Sequence, residues 1–247
     1  MSGHSKWSTI KRKKGAADAK RSKEFSRIVK EIQIAVKEGG SADPDSNPRL
    51  RLAMQNAKGV NMPKDNIERA ISKASGEGES LQEVTFEGYA PHGIAVFVEC
   101  LTDNNLRTVS QVRAVFNKRN GTLGTNGSLS FLFDRKGVFV IPKGDLNVEE
   151  FQLEIIDAGV EEIDEVDDKL IVYCAMEDFG NVQKKLEELN IEAENAELQR
   201  IANNTKTLTV DESLQILKIV EEFEELDDVQ NIYHNLEVTD EVIAAME

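Results

Sequence analysis

The feature that most constrains this chain is the separation of its charges along the sequence. Residues 1–75 contain 17 Lys and Arg against 8 Asp and Glu, whereas residues 76–247 contain 13 against 37. A net charge of +9 is therefore followed by one of −24. The sign changes at residues 75–78, Ser-Gly-Glu-Gly, which have the composition of a linker. The pattern predicts separately folded units, the first of which binds a polyanion.

The positive charge is concentrated in the first 37 residues. Four consecutive cations, Lys11 to Lys14, follow a tryptophan and a histidine, and more Lys and Arg continue along a predicted helix. Because cations bind phosphates and an aromatic ring can stack on a base, this segment is predicted to bind nucleic acid. Two alternatives stay open: a solvated tail, and a Trp7 side chain that packs onto the neighbouring helices. The predicted nucleic-acid-binding residues are His4, Lys6, Trp7, Lys11, Arg12, Lys13, Lys14, Lys20, Arg21, Lys23 and Arg27.

Apolar residues recur every three to four positions in three N-terminal segments. The first covers residues 16–36 and ends at a Gly-Gly pair. The second, 47–59, begins with an Asn cap followed by Pro, and the third covers 62–74. We therefore predict a helical bundle within a domain of residues 1–78, with the cations of the first helix on its outer face.

The rest of the chain alternates between strand and helix patterns. Within 135–206 the predicted order is strand-helix-strand-strand-helix-strand, the arrangement of ferredoxin-like domains. The same order is predicted a second time from strands at 94–101, 129–133, 207–210 and 229–238 and helices at 106–119 and 212–225. The sequence thus predicts an α+β fold in which a second ferredoxin-like domain is inserted into the first. The predicted domains are 1–78, 79–134 with 207–247, and 135–206.

The residue patterns disfavour several kinds of site. Cys100 and Cys174 lie in apolar runs with no CxxC or Cys/His grouping, which disfavours structural zinc. The carboxylates are consecutive along helix and loop surfaces, and the three histidines are far apart, which disfavours a catalytic centre. No run reaches the ~18 apolar residues of a membrane span. We predict no catalytic site, no metal, no cofactor and no membrane partner.

Two loops have the composition of polar sites. The glycine-rich segment 121–127 could present N–H groups to a phosphate, but a Walker loop needs a Lys and a following helix, and a KH loop joins two helices. A helix end followed by a turn is the favoured interpretation. The other candidate is a polar pocket near the end of a central strand, formed by Tyr89, His92, Asp103 and Asn104. Turn chemistry accounts for these residue types equally well.

Several short motifs succeed one another along the whole chain. They are Gly3-His4-Ser5-Lys6-Trp7, Lys11 to Lys14, Asn47-Pro48-Arg49-Leu50, Asn61-Met62-Pro63, Asn66 to Ile71, Gly88 to Gly93, Thr102-Asp103-Asn104, Gly121 to Ser128, and Leu226 to Val229. Together they resemble the YebC family, which includes the mitochondrial translational activator of cytochrome c oxidase. The resemblance implies a helical N-terminal domain, two α/β domains and no known catalysis. Bacterial members are called probable transcriptional regulators that bind DNA, and the family is also tied to ribosome binding and relief of stalling at proline-rich stretches.

From the residues and the resemblance together we predict a non-enzymatic regulator of gene expression that binds DNA. The alternative is a ribosome-associated translation factor that binds rRNA or tRNA, since folded RNA can be recognised by shape and charge. A protein-binding or small-ligand module is the hypothesis of a different class, and an enzyme is the third. We expect a monomer in the bacterial cytoplasm.

Overall fold

The computed structural model describes residues 17–76 and 81–246, with side chains from residue 21 onward. The helices are α1 (Ala17–Gly39), α2 (Pro48–Gly59), α3 (Lys64–Ser75), α4 (Asn105–Lys118), α5 (Val148–Ile155), α6 (Phe179–Glu188), α7 (Val210–Glu224) and α8 (Asp240–Ala245). The strands are β1 (Gln82–Ala90), β2 (Ile94–Thr102), β3 (Thr122–Leu123), β4 (Phe133–Pro142), β5 (Val160–Val166), β6 (Lys169–Ala175), β7 (Asn195–Ala202) and β8 (Val229–His234).

Helices α1, α2 and α3 pack into the predicted helical bundle. Asn47 caps α2, because its side-chain oxygen accepts a hydrogen bond from the N–H of Leu50 at 3.0 Å. The amide nitrogen of Asn47 donates to the carbonyls of Ala35 at 2.7 Å and Ser41 at 2.9 Å. One buried side chain therefore closes the connection between α1 and α2. The bundle core contains Ile32, Ala35, Val36, Leu50, Ala53, Ala57, Met62, Ile67, Ala70 and Ala74.

The sheet built from residues 133–202 has the order β5-β6-β4-β7. Strand β6 is antiparallel to both β4 and β5. Two hydrogen bonds, from Glu194 N–H to the Val140 carbonyl at 2.8 Å and from Asn203 N–H to the Leu132 carbonyl at 2.9 Å, show that β7 is antiparallel to β4. With α5 and α6, these strands reproduce the predicted strand-helix-strand-strand-helix-strand order. Burial raises the pKa of the Cys174 thiol in this core to about 11, as expected of a packed thiol.

The other sheet has the order β3-β1-β2-β8, with β2 antiparallel to β1 and to β8. Side chains alternate along β2, so that Ile94, Val96 and Val98 join the core beneath α4 and α7. Ala95 and Phe97 point to the opposite face, in a second cluster with Leu129, Phe133 and Tyr233. This sheet is therefore covered on both faces.

Two strands predicted for this sheet are wrong. Residues 129–133 form a 3₁₀ turn, Ser130–Leu132, before β4 begins, because the Leu129 N–H donates to the buried Glu87 carboxylate instead of a strand partner. Residues 207–209 lead into α7, whose N-cap Thr209 forms a capping box with Glu212. The strand that completes the sheet is β1, which precedes β2 in the chain, so the ferredoxin-like order is not repeated strand for strand.

The described residues divide into two compact units. One contains residues 81–134 and 201–246, and the other contains residues 17–76 and 135–200. The two antiparallel sheets and their helices confirm the mixed α and β composition. The division into three domains at 1–78, 79–134 with 207–247, and 135–206 stays a prediction.

Candidate nucleic-acid interface

The predicted nucleic-acid-binding residues fall into two groups. His4, Lys6, Trp7, Lys11, Arg12, Lys13 and Lys14 lie outside the described residues, as does the side chain of Lys20. The remaining three, Arg21, Lys23 and Arg27, lie on α1.

Arg21 is an exposed cation near the start of α1 whose guanidinium is oriented by two contacts. The group lies 5.3 Å from the ring centroid of Phe25, one helical turn later. It also donates a long hydrogen bond, 3.5 Å, to the carbonyl of Asn61 in the α2–α3 turn. An exposed cation–π contact contributes ~0.5–1 kcal/mol. Arg21 therefore presents a positive charge in a preferred orientation beside that turn.

The face of α1 opposite the bundle core is partly packed. Ile34 lies about half a helical turn from Ile32 and is only 1% exposed, yet it does not belong to the bundle core. Lys23 and Arg27, on the same side as Ile34, are half-buried and make contacts within the molecule. The cations of α1 were predicted to lie on its outer face. Arg21 is exposed as predicted, whereas Lys23 and Arg27 are half-buried.

The helical bundle is attached to β7 through α2. The side-chain oxygen of Asn56 accepts from the Ala196 N–H, and its amide nitrogen donates to the Ala196 carbonyl, both at 2.9 Å. The Asn56 side chain thus makes with Ala196 the pair of hydrogen bonds that a backbone residue of a neighbouring strand would make. At the end of α2, a Cβ on Gly59 would lie 1.8 Å from the Glu194 carbonyl oxygen, so only glycine fits there. Nothing in the local sequence pattern indicates this attachment, which joins residues 140 positions apart.

Helices α2 and α3 are joined by a four-residue turn, the spacing of a helix-turn-helix. The exposed face of α3 carries Lys64, Arg69 and Lys73. The same face carries Asp65 and Glu68, and Glu68 lies 3.3 Å from the Lys64 ammonium. Two carboxylates on that face would oppose the phosphates that line a DNA groove, so α3 is poorly suited to be a recognition helix.

The polar pocket predicted from Tyr89, His92, Asp103 and Asn104 is not formed. Tyr89 and His92 lie at the β1–β2 turn, whereas Asp103 and Asn104 come after the opposite end of β2. The nine residues of β2 separate the two pairs by roughly 26 Å at about 3.3 Å per residue. Each pair instead forms contacts of its own.

His92 connects the β1–β2 turn to the start of α7. Its backbone has a φ of 60°, and its ring nitrogens lie 3.3 Å from Glu212 Oε1 and 3.3 Å from Gln215 Oε1. Its carbonyl accepts from Lys206 Nζ at 2.5 Å. Hydrogen bonds from Thr209 lower the pKa of Glu212, and the charges of His92 and Lys206 act in the same direction. These contacts hold the β1–β2 turn against the start of α7.

At the other end of β2, the buried Asp228 carboxylate is the centre of a hydrogen-bond network. It accepts from Thr102 Oγ1 at 3.1 Å, Thr108 Oγ1 at 2.9 Å and Arg107 at 2.7 Å. Arg107 also donates to Asp103 at 2.6 Å, and this bond holds the pKa of Asp103 below its usual value. Asn104 caps α4 by accepting from the Arg107 N–H. The network joins β2, α4 and the residue before β8.

The glycine-rich loop 121–128 is fastened to β1 by Glu87. This side chain is 3% exposed, and its carboxylate accepts from the N–H groups of Gly127 at 2.6 Å and Leu129 at 2.5 Å. The Gly124 N–H donates to the Glu87 carbonyl at 2.7 Å. Gly127 has a φ of 84°, which a glycine adopts without strain. A carboxylate of the protein therefore takes the hydrogen bonds that a phosphate would need, which supports the interpretation as a turn.

Two kinds of site are absent from the described part of the chain. Residues 17–76 and 81–246 contain no group of three or more His, Cys, Asp and Glu side chains placed to hold a metal ion. Within the same residues, no helix combines the length and apolar character needed to cross a membrane.

Comparison with known protein families accounts for nearly the whole chain. Residues 5–77 match the family described as "TACO1/YebC protein N-terminal domain", and residues 81–236 match "TACO1/YebC second and third domain". The chain belongs to the TACO1/YebC family. The resemblance inferred from its motifs is thus confirmed.

Full-length relatives and one solved structure agree with this assignment to the TACO1/YebC family. A "Probable transcriptional regulatory protein" of Syntrophomonas wolfei is 47% identical over 251 residues and covers 100% of both chains. One of the same name from Amoebophilus asiaticus is 50% identical over 240 residues, 96% of this chain and 98% of its own. A conserved hypothetical protein from Aquifex aeolicus has the same fold, with a TM-score of 0.81 and 40% identity over 90% of this chain and 92% of its own.

The Glu87 anchor is a feature of this TACO1/YebC chain that sequence reasoning missed. An acidic residue at an alternating position of β1 is expected to face solvent, and here it is buried. Its hydrogen-bond partners lie 40 and 42 positions later, so they are not visible in a local pattern. The only indication in the sequence was a single acidic residue beside the Gly88 to Gly93 motif.

Proposed function

We propose that the protein is a non-enzymatic regulator of gene expression that binds DNA through its N-terminal cationic segment. The observation that carries the proposal is the segregation of charge, +8 over residues 1–37 against −24 over residues 76–247. A polyanion is attracted to the first segment and repelled by the net charge of the remainder, which concentrates the electrostatic attraction in one part of the molecule. The names of the relatives, probable transcriptional regulatory proteins, support a role in transcription.

Phosphate contacts are the proposed source of affinity. Lys11 to Lys14 supply adjacent charges, and Arg21 adds a guanidinium oriented by Phe25 and Asn61. The carboxylates on the exposed face of α3 argue against base reading by that helix. If about five cations neutralise phosphates, the logarithm of the duplex affinity falls against the logarithm of the salt concentration with a slope of roughly −4 to −5.

The test compares two pairs of adjacent lysines with matched charge changes. The variant Lys13→Glu with Lys14→Glu reverses two charges of the proposed interface, and Lys184→Glu with Lys185→Glu reverses two on α6. The first variant is expected to lose about tenfold in duplex affinity at about 0.15 M salt, with a slope shallower by about 2. The second makes the same charge change outside the proposed interface and is expected to alter the affinity and the slope much less than the first. A parent slope near zero, or equal losses in both variants, would contradict the proposal.

Ribosomal RNA is a second candidate target, favoured by the exposed Asp65 and Glu68 of α3. These carboxylates disfavour insertion into a DNA major groove, whereas a folded RNA can be bound through shape and phosphates. Co-sedimentation with ribosomes at physiological salt, with duplex DNA as competitor, separates the two targets. Release of the protein from ribosomes by stoichiometric DNA supports DNA, and retention on ribosomes supports RNA.

A further inference from the structure

A segment of the acidic part of the chain contributes no negative charge. Residues 104–133 contain four Lys and Arg and no Asp or Glu, although residues 76–247 contain 37 acidic residues. The segment comprises α4 and the loop that leads to β4. Three of its cations pair with carboxylates of other segments, and the fourth, Arg113, is exposed. The segment itself therefore adds no repulsion to an approaching polyanion, and three of its cations offset the carboxylates with which they pair.

Two aromatic rings are exposed next to this segment. Tyr89 is 44% exposed and Phe131 is 70% exposed, and neither belongs to a core cluster of the described residues. Single exposed apolar side chains are common on protein surfaces, so what distinguishes these two is that they are aromatic and can stack on a base. The loop residues that precede Phe131 in the chain are small and polar: Thr122, Thr125, Asn126, Ser128 and Ser130 are all exposed.

The Glu87 anchor relates the positions of the two rings to one hydrogen bond. Tyr89 is two residues after Glu87 on the same face of β1, so the Cα atoms are about 7 Å apart. Phe131 is two residues after Leu129, whose N–H is 2.5 Å from the Glu87 carboxylate, so it lies no more than about 7 Å further along the chain. The loop also packs directly on Tyr89, because a Cβ on Gly121 would lie 2.8 Å from the Tyr89 carbonyl oxygen. Each ring therefore lies two residues from the same hydrogen bond, Tyr89 on β1 and Phe131 at the end of the loop.

We propose that Tyr89, Phe131 and the loop 121–130 bind unpaired nucleotides, with the two rings stacking on bases. The exposed hydroxyl and amide groups of the loop donate to phosphates and base edges. Stacking requires bases that are not already stacked in a duplex, so this site prefers single-stranded segments. The inference rests on the proposed function: the N-terminal cations supply most of the affinity, and the rings select unpaired nucleotides of DNA or RNA.

Nucleotides fit this surface better than an apolar protein partner does. The two rings are separated by polar and glycine residues and do not form a continuous apolar patch. The one carboxylate at the centre, Glu87, is buried, and its charge is compensated by backbone N–H groups. Isolated rings beside exposed hydrogen-bond donors match an aromatic, anionic ligand, although the exposed Asp134 follows the segment directly.

The experiment measures the affinity of the full chain for unstructured deoxythymidine and uridine oligonucleotides of about twelve residues, and for a duplex of the same length. The variant Tyr89→Ala with Phe131→Ala is expected to lose roughly tenfold or more for the single strands and less than about twofold for the duplex. Tyr89→Phe is expected to retain single-strand affinity. Leu153→Ala, which removes a 74% exposed side chain from α5, is the control and should change neither affinity.

A second variant and a second readout keep the inference testable if the double substitution impairs folding. Thr125→Glu adds a negative charge to an exposed loop position and is expected to weaken single-strand binding severalfold with no change in Tm. Photocrosslinking with 4-thiouridine oligonucleotides, followed by tryptic digestion, should label the peptide of residues 120–135, which contains the loop and Phe131.

The outcomes separate this inference from the proposed function. Unchanged single-strand affinity in the ring variants, with affinity still lost in the Lys13→Glu and Lys14→Glu variant, overturns the inference and leaves the function intact. Failure of the parent to bind any oligonucleotide overturns both. Loss of ribosome co-sedimentation in the ring variants without loss of oligonucleotide affinity assigns the rings to a ribosome contact other than unpaired nucleotides and also overturns the inference. Different losses for deoxythymidine and uridine strands distinguish DNA from RNA as the ligand.

Discussion

At the residue scale, individual carboxylates organise the unit formed by residues 81–134 and 201–246. Glu87 fastens the glycine-rich loop, Asp228 joins β2 to α4, and Glu222 links α4 to α7 through Arg119. Each satisfies hydrogen-bond donors that would otherwise lack a partner inside the protein. In the sequence these three residues look like members of the acidic surface, because an acidic residue carries no mark of whether its partner is water or a distant N–H group.

The Arg119–Glu222 pair predicts a pH-dependent contribution to stability. The hydrogen bond from Arg119 is the main cause of a lowered pKa of Glu222, so the folded state favours the ionised carboxylate. The ionised Glu222 carboxylate stabilises the folded protein fully at pH values above its pKa in the unfolded chain, near 4.5. This stabilisation is lost as the pH falls through the lower pKa that Glu222 has in the folded protein. Glu222→Gln should therefore lower the Tm at pH 7 by up to about 3 °C.

The measurement is a series of thermal unfolding curves from about pH 7 to about pH 3. The difference in Tm between the parent and Glu222→Gln should shrink in acid, where the parent carboxylate is itself protonated. Glu221→Gln removes a charge from the adjacent exposed position and serves as the control, with no such convergence expected. A constant difference across the pH range would show that the ion pair is not its source.

At the element scale, the sequence predicts those features that depend on local periodicity and caps. The helices of the bundle, the order of elements in 135–200 and the Asn47 cap can be inferred from apolar spacing and from Asn before Pro. The segment 207–210 was mistaken for a strand because Thr-Leu-Thr-Val alternates as a strand does, whereas its Thr209 actually caps α7. Ile34 could not be foreseen as buried, because it lies outside the apolar stripe of its own helix.

Two helical glycines are expected to respond in opposite ways to substitution by alanine, because α2 packs closely on the residues before β7 at Gly59 whereas Gly180 has open space around it. Gly59→Ala would place a Cβ 1.8 Å from the Glu194 carbonyl oxygen, so one element must move. The expected loss is about 1–3 kcal/mol of unfolding free energy, as for other overpacked sites. Gly180→Ala in α6 meets nothing within 4 Å and should stabilise by up to about 1 kcal/mol through helix propensity.

Urea unfolding followed by circular dichroism measures both effects. Limited proteolysis adds a local test, because Gly59→Ala should expose the bundle to cleavage before the rest of the chain. Equal stability of the Gly59→Ala and Gly180→Ala variants would show that α2 does not pack closely on the Glu194 carbonyl.

At the scale of the whole molecule, the sequence predicts charge segregation but not the grouping of its parts. The sign change near residue 76 separates the bundle from the acidic remainder of the chain, yet the bundle forms one compact unit with residues 135–200. The pairing of Asn56 with Ala196 that contributes to this grouping involves groups 140 positions apart. Neither residue belongs to a motif or a periodic pattern that marks it as a contact.

The acidic part of the chain is expected to reduce unproductive binding to DNA. Replacing the exposed Glu154, Glu187 and Glu188 by Gln removes three negative charges without touching the N-terminal cations. Duplex affinity at about 50 mM salt should rise about two- to fivefold, because less repulsion opposes approach, and the gain should vanish near about 0.5 M salt. Glu→Asp changes at the same positions preserve the charge and are the control, and a gain that persists at high salt would exclude an electrostatic cause.

The antiparallel pairing of β4 and β7 has a consequence for the order in which the chain folds. The Asn203 N–H reaches the Leu132 carbonyl at 2.9 Å, so the 70 residues between them begin and end at the same point. Once that intervening stretch has folded, it holds the ends of the flanking segments 81–134 and 201–246 side by side, as a short hairpin loop would. The entropy of closing a long loop then no longer opposes the association of the two segments. We therefore expect β8 to complete the interrupted sheet after the intervening stretch has folded.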